Sequence, residues 1–181
     1  MFRVYDDVVD AYSRYLLGRG VYPASVGLRT PLGKIEPTIY SHHDMLTINE
    51  IFCRLDYSAS SSDRVIVDFG SNIGISALYF LTRSDKSFVY CYEPFPINCG
   101  RFKKNLERFG GRYQLAEYAV ALQDGIAQFG FEPTGRYGGI GKNTGSTITV
   151  ACRDVNNILR QILAGCGKIA PEAEFLSLFL A

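Results

Sequence analysis

The hydrophobic pattern is most regular between Val65 and Pro94. Val65, Ile66 and Val67, three β-branched apolar residues in a row, lead into Asp68, which predicts a central parallel strand buried on both faces. Gly70 and Gly74 follow where a chain must turn tightly, and Ile75 to about Arg83 carries a helical apolar pattern. A second apolar run ends at Tyr92-Glu93-Pro94. Strand, glycine-rich turn, helix and strand in that order predict a βαβ unit.

The flanking segments fit around this unit. Asp6-Asp7 caps a predicted helix whose apolar face is Val8, Tyr12, Tyr15 and Leu16, with Gly18 and Gly20 as its stop. Val26 to Ile39 alternates as two short strands around Pro31-Leu32-Gly33. Asp44 opens a second helix bearing Leu46, Ile48, Ile51, Phe52 and Leu55, and Ser58 to Asp63 is a polar linker. Beyond Pro94, a helix is expected from Pro96 to about Phe109, with Arg101, Lys103, Lys104 and Arg108 on a solvated face. A third core strand is expected over Tyr113–Val120, a hairpin from Ile126–Phe131 and Thr147–Cys152, and a helix from Asp154 to about Leu163. The glycine-dense stretch 132–146 lacks the Gly-x-x-x-x-Gly-Lys-[Ser/Thr] order, because Asn143 follows Lys142; it reads as a mobile loop over an acceptor. Three parts follow: residues 1–60 as an α/β collar, 61–165 as the core, and 166–181 as a divergent tail.

Composition narrows the class. The chain has 181 residues, of which 47% are apolar and 20% charged, enough for one domain with a real core. A net charge of +1 gives no electrostatic footprint for nucleic acid. No apolar run reaches the roughly 20 residues of a bilayer span, and the N-terminus lacks a signal-peptide layout. The five cysteines, Cys53, Cys91, Cys99, Cys152 and Cys166, show no Cys-x-x-Cys pair and read as free thiols of a reducing cytoplasm. His42 and His43 are the only histidines and are adjacent, so no metal site is expected.

The chemistry-bearing pattern is Asp68-x-Gly70-x-Asn72-x-Gly74, with Glu93 closing the next strand. A dinucleotide fingerprint needs Gly-x-Gly-x-x-Gly for a pyrophosphate on a helix N-terminus. Here an acid stands at the first position and the third glycine is missing. An acid repels a pyrophosphate and suits the ammonium of an amino acid, which makes S-adenosylmethionine the cofactor this pattern fits. In that reading Asp68 and Gly70 hold its methionine end, Asn72 and Gly74 shape the turn, Glu93 accepts from the ribose hydroxyls, and Pro94 and Phe95 lie against adenine. Each residue also has an ordinary role, as turn former, helix cap or core packing, and it is the joint order that points to a ligand.

The runs VIVDFGSNIGISALYF (65–80), CYEPFPINCGRFKKNL (91–106) and YAVAL (118–122), with LRTPLGKIEPTIYSHHDMLTINEIF (28–52) upstream, resemble the FkbM-like family of S-adenosylmethionine-dependent methyltransferases. Asn98 and Asn105 accompany the same pattern in that family. The resemblance covers roughly residues 26–160. It implies a class I, Rossmann-like doubly wound parallel sheet and methyl transfer to a hydroxyl, often of a sugar or a natural product. The acceptor partner is then a small molecule or glycan.

The likeness ends near residue 165. The family's next strand carries Lys-Ile-Asp-x-Glu-Gly, whereas this chain continues Gly167-Lys-Ile-Ala-Pro171, and proline does not suit a central strand. The sequence therefore predicts a C-terminally truncated sheet with one open edge on its first strand and no turnover, the chain pairing with another copy through that edge, being only marginally stable or being a remnant, with the apolar tail 175–180 as a patch over the exposed core. It offers no general base; His42, His43 and Asp44 are candidate lid residues. Two other classes remain open at this point, a non-catalytic fragment or binding module and a nucleotide-dependent Rossmann oxidoreductase.

Overall fold

The computed structural model describes residues 3–132, 138–142, 145–169 and 176–180, with side chains described as far as residue 165. Helix α1 (Val8–Leu17) starts at Asp7, whose carboxylate accepts the Asp10 N–H, and stops at Gly18, which takes φ +61° and returns its N–H to Ser13. Its inward face is Val8, Ala11 and Tyr15; Tyr12 and Leu16, expected to face the core, are exposed. A period of three to four positions starting from Ala11 selects that inward set.

Strands β1 (Ala24–Ser25), β2 (Leu28–Thr30), β3 (Gly33–Ile35) and β4 (Thr38–Ile39) follow. The predicted hairpin is β2 against β3, and β1 pairs β4 outside it. Helix α2 (His42–Ile48) begins at Ser41 rather than Asp44. Asp44 is its third residue and completes a capping box, its carboxylate accepting the Ser41 N–H while the Ser41 hydroxyl accepts the Asp44 N–H. One π-helical turn, Asn49–Cys53, continues the helix. Leu55 lies beyond it, exposed and at φ +59°, so it leaves the apolar face assigned to it.

The core is a parallel sheet of β5 (Val65–Phe69), β6 (Phe88–Tyr92) and β7 (Tyr113–Ala116), linked by α3 (Ile75–Leu81) and α4 (Pro96–Asn105). All five residues of β5 are buried, as the β-branched run predicts. Alternate residues face opposite ways: Ile66, Val89 and Cys91 pack on α3, α4 and the collar, while Val65, Val67, Tyr90 and Tyr92 pack on Ile158 and Ile162. Every residue of α3 is buried, which suits a helix with almost no polar face, wedged between sheet and collar.

The expected third strand is split. β7 ends at Ala116, and Ala119–Ala121 forms β8 of a second sheet with β9 (Gly125–Phe131), β10 (Gly139–Ile140) and β11 (Ser146–Asp154). The β9–β11 pair is the antiparallel hairpin partnership read from the sequence, in register Val150 to Ala127. Helix α5 (Val155–Ile169) then supplies Ile158 and Ile162 to the core.

The open edge expected on β5 is closed. Residues Leu176–Leu180 form β12 and pair parallel with Val65–Phe69, giving the order β12-β5-β6-β7. Pro171 lies outside the described residues, and the strand begins five positions after it, so proline's missing donor does not interrupt the ladder. The basis for self-association through the β5 edge is thereby removed.

Candidate functional site

In the sheet order the chain runs from β5 outward to β6 and β7 and then returns to the other side of β5. In open α/β sheets such a reversal leaves a crevice beyond the carboxyl ends of the strands. A cavity of about 680 Å³ occupies that place, within the size range of small-molecule sites. Its floor is the strand ends: Phe69-Gly70-Ser71-Asn72 after β5, Tyr92-Glu93-Pro94 after β6, and Tyr118-Ala119-Val120 after β7. The collar supplies the opposite wall with Asp44, Thr47, Glu50, Ile51, Asp56 and Tyr57. Phe129, Gly138, Gly139, Ile140 and Lys142 of the second sheet border it as well. Of the loop expected over an acceptor, 133–137 and 143–144 lie outside the described residues.

The turn after β5 is held by the end of β6. Gly70 takes φ +84° and Asn72 φ +46°, conformations that glycine and asparagine tolerate best. The N–H groups of Gly70 and Ser71 both donate to the Tyr92 carbonyl, at 2.9 and 3.0 Å. Glu93, almost fully buried, accepts the Asn72 N–H on Oε2 at 3.0 Å and the Phe95 N–H on Oε1 at 2.8 Å. The Asn98 side chain donates to the same carboxylate. Burial nevertheless pushes the Glu93 carboxyl up to about 7, against the lowering effect of these three donors.

Asp68 is fully buried and does not border the cavity. Strand parity turns it toward α3, where Oδ2 accepts the Ser76 hydroxyl at 2.7 Å while Oδ1 has no hydrogen-bond partner. Burial raises its carboxyl to about 6, partly offset by the serine hydroxyls. Ser76 does border the cavity, so Asp68 stands one hydrogen bond behind its wall.

Gly70, Asn72, Glu93 and Pro94 thus meet at the cavity, whereas Gly74 and Phe95 do not reach it. Gly74, at φ +90°, is small for a packing reason: a Cβ there would sit 2.4 Å from Leu106 Cδ1 and 3.0 Å from Phe102 Cδ2. Phe95 is buried against Phe131, ring centroids 4.7 Å apart. Asn98 borders the cavity, but Asn105 ties the fold together, its side chain bonding the Thr38 N–H and carbonyl and the Ile73 carbonyl. His42 and His43 lie outside the lining; Asp44 is in it, its carboxyl raised by burial and lowered by the Tyr40 and Ser41 N–H groups.

Sequence reasoning missed Thr47, Glu50, Asp56, Tyr57 and Tyr118. A signal existed for the first two: Asp44, Thr47 and Glu50 recur every three positions, a polar stripe beside the apolar one of Met45, Ile48 and Ile51. The basic residues of α4 are less free than a solvated face implies. Arg101 stacks over Tyr40 at 4.3 Å and Lys103 pairs Glu117 at 2.5 Å. Among the described residues no three His, Cys, Asp or Glu side chains gather into a metal site, and no helix is long and apolar enough to cross a membrane. Cys53, Cys91, Cys99 and Cys152 are free thiols; the Cys166 side chain lies outside the described ones.

No protein-family model matches the chain, and no curated protein does. A solved structure, the methyltransferase FkbM from Methylobacillus flagellatus KT, is similar over 67% of this chain and 33% of its own length. The identity is 15% and the TM-score 0.38. This chain therefore spans about a third of that protein.

Proposed function

We propose that the chain is a Rossmann-like, S-adenosylmethionine-binding unit of methyltransferase type, with the cavity as its site and an acceptor hydroxyl as its target. In this reading residues 1–60 are the collar, 61–165 the cofactor-binding core and 166–181 the strand-bearing tail. The observation that carries it is the meeting of the Gly70–Asn72 turn with the Glu93 carboxylate at the carboxyl ends of β5 and β6, beside the reversal in strand order.

The residues present fit such a ligand. A carboxylate offers about four acceptor positions, of which Asn72, Phe95 and Asn98 use three, leaving Glu93 able to take a hydroxyl. Gly70 keeps side-chain atoms off the turn, and Tyr118, Ala119, Val120 and Phe129 add apolar lining on which a heterocycle could pack. The acid-rich lining favours a cation over a pyrophosphate, which weighs against a nucleotide-dependent oxidoreductase. S-adenosylmethionine, when bound, supplies a methyl group already activated by a sulfonium. The protein's share is alignment of donor and acceptor, exclusion of water by the collar and second sheet, and a carboxylate on the wall to take the hydroxyl proton.

Isothermal titration with S-adenosylmethionine and with S-adenosylhomocysteine tests the reading. Saturable binding that Gly70→Val abolishes supports it, since a valine at φ +84° cannot keep the turn. Binding of NAD in place of either ligand, or no binding by a folded chain, overturns it.

A further inference from the structure

Helix α1 is apolar on two sides. Val8, Ala11 and Tyr15 face the core, while Val9, Tyr12, Ser13, Leu16 and Leu17 make up the outer side. The outer set stands at positions i, i+3, i+4, i+7 and i+8, the spacing by which a helix presents one face to a neighbour. No neighbour among the described residues takes it: Val9 is 80% exposed, and Tyr12, Leu16 and Leu17 are each more than half exposed. A surface helix ordinarily turns polar residues to water. Here the two charged residues of α1, Asp10 and Arg14, lie on its flank and bond each other at 2.7 Å.

The face is built rather than loose. Arg14 also donates to the Val21 carbonyl at 3.1 Å, and its guanidinium lies over the Tyr22 ring. These contacts lay the return loop along the helix and leave Val21 82% exposed on the flank. Val9, Tyr12, Leu16, Leu17 and Val21 together present roughly 500 Å² of apolar surface, the size of the largest patch on an ordinary monomer and a mark of an interaction site.

Charge selects the occupant. Asp7 is exposed at the N-terminal end of the helix, and Arg19 is exposed just past its C-terminal end. A second copy laid antiparallel across Ser13 sets Asp7 beside the partner's Arg19, twice by symmetry and with opposed helix dipoles. The same overlay sets Val9 against the partner's Leu16 and Leu17, and the small Ser13 at the crossing lets the helices approach closely. Two patches together remove on the order of 1,000 Å² from water, the lower bound for a specific contact and the range of reversible ones. A lipid surface fits less well. An interfacial helix borders its apolar face with Lys and Arg, whereas Asp7 and Asp10 border this one.

We propose that the outer face of α1 is a docking surface for a second copy of this chain, forming a reversible dimer whose two α1 helices cross antiparallel at Ser13. The surface is separate from the β5 edge, and no residue of α1 borders the cavity, so the proposal stands whether or not the cavity binds S-adenosylmethionine.

Sedimentation velocity of the whole chain from about 2 to 200 µM, near pH 7 and at low salt, tests this. A concentration-dependent passage from monomer to dimer is expected. Leu16→Lys should raise the dissociation constant at least about ten-fold. Arg19→Glu should weaken the dimer several-fold, and adding Asp7→Ser, which keeps a capping hydroxyl but removes the like charge, should recover part of that loss. Under mild oxidation Ser13→Cys should cross-link faster than Val9→Cys, because only residue 13 meets its own copy across the two-fold axis. Thermal melts by circular dichroism check that each variant is folded, and Val9→Lys, at the most exposed apolar position of α1, replaces Leu16→Lys if the latter is not. A chain that stays monomeric over the whole range, a dimer that folded Leu16→Lys or Val9→Lys leaves intact, or equal cross-linking of the two cysteine variants overturns the proposal. So does a monomer that binds vesicles of phosphatidylcholine and phosphatidylserine instead.

Discussion

Asp68 makes the stability of this protein depend on pH in a direction opposite to that of a salt-bridged acid. Its carboxyl rises from 3.8 to about 6 on folding, with burial as the main cause. Between those values the folded chain binds more protons than the unfolded chain, so stability falls as pH rises through the window. The contribution is fully present below about pH 4 and lost by about pH 7. Two units correspond to about 3 kcal/mol, a large part of the stability of a small domain. Glu93, rising from 4.5 to about 7, adds a second loss of similar size over a slightly higher range. The two carboxyls influence each other, so their losses do not simply add.

The perturbation is Asp68→Asn, which keeps the shape and removes the titration. Urea denaturation at half-unit steps from about pH 4 to 8 gives stability against pH for both proteins. The parent curve should fall steeply, and the variant should lose about half of that fall, keeping the part due to Glu93. The amide places an NH₂, with two donors, where Oδ1 had no partner, which lowers the whole variant curve by roughly 1–3 kcal/mol at every pH. Parallel curves would refute the reasoning, since they would mean that Asp68 does not titrate in this range in the folded chain.

Three further outcomes follow from the geometry. Gly74→Val should destabilise the fold by about 2–4 kcal/mol, from strain at φ +90° and overlap with Leu106, as measured by urea denaturation; an unchanged midpoint counts against the packing role. Asn105→Ala should cost about 1–3 kcal/mol by freeing buried backbone groups of Thr38 and Ile73, and hydrogen exchange should show the loss at β4 first. Glu93→Ala should weaken S-adenosylmethionine at least about ten-fold, and parent affinity should rise with pH through about 7 as the Glu93 carboxyl ionises toward a cationic ligand; a flat profile by calorimetry removes Glu93 from contact.

The sequence made the βαβ core legible because local rules and tertiary needs agree there. A β-branched run is a strand wherever it is buried on both faces, and Gly70 and Asn72 sit where the turn demands positive φ. The split between β7 and β8 was not legible, since no glycine or proline marks a break within Tyr113–Ala121 and only pairing with β11 moves its second half to another sheet. Nor was β12, whose partner lies more than a hundred residues earlier. The side-chain direction of Asp68 was readable from parity: Val65, Val67 and Phe69 share one face with α5, so residue 68 faces α3, and Ser76, the second residue of that helix, is its partner. The acid wall of the collar depends on α2 packing over the strand ends, a contact that no local pattern encodes.

Glu93 illustrates why a site can be found by motif while its residues do more than the motif suggests. Without any ligand it already satisfies two backbone N–H groups, one on the turn after β5 and one at the start of α4. Asn72 holds a left-handed conformation that costs energy in most residues, and the Glu93 bond is what anchors its N–H. The carboxylate therefore fixes the mouth of the cavity before anything enters, so less ordering remains when a ligand binds. A glutamine in its place offers only one acceptor oxygen for those two donors, and one buried N–H then faces an amide NH₂. Loss of stability in the ligand-free protein and loss of affinity are thus separate consequences of one substitution, and a position carrying both duties tolerates few alternatives.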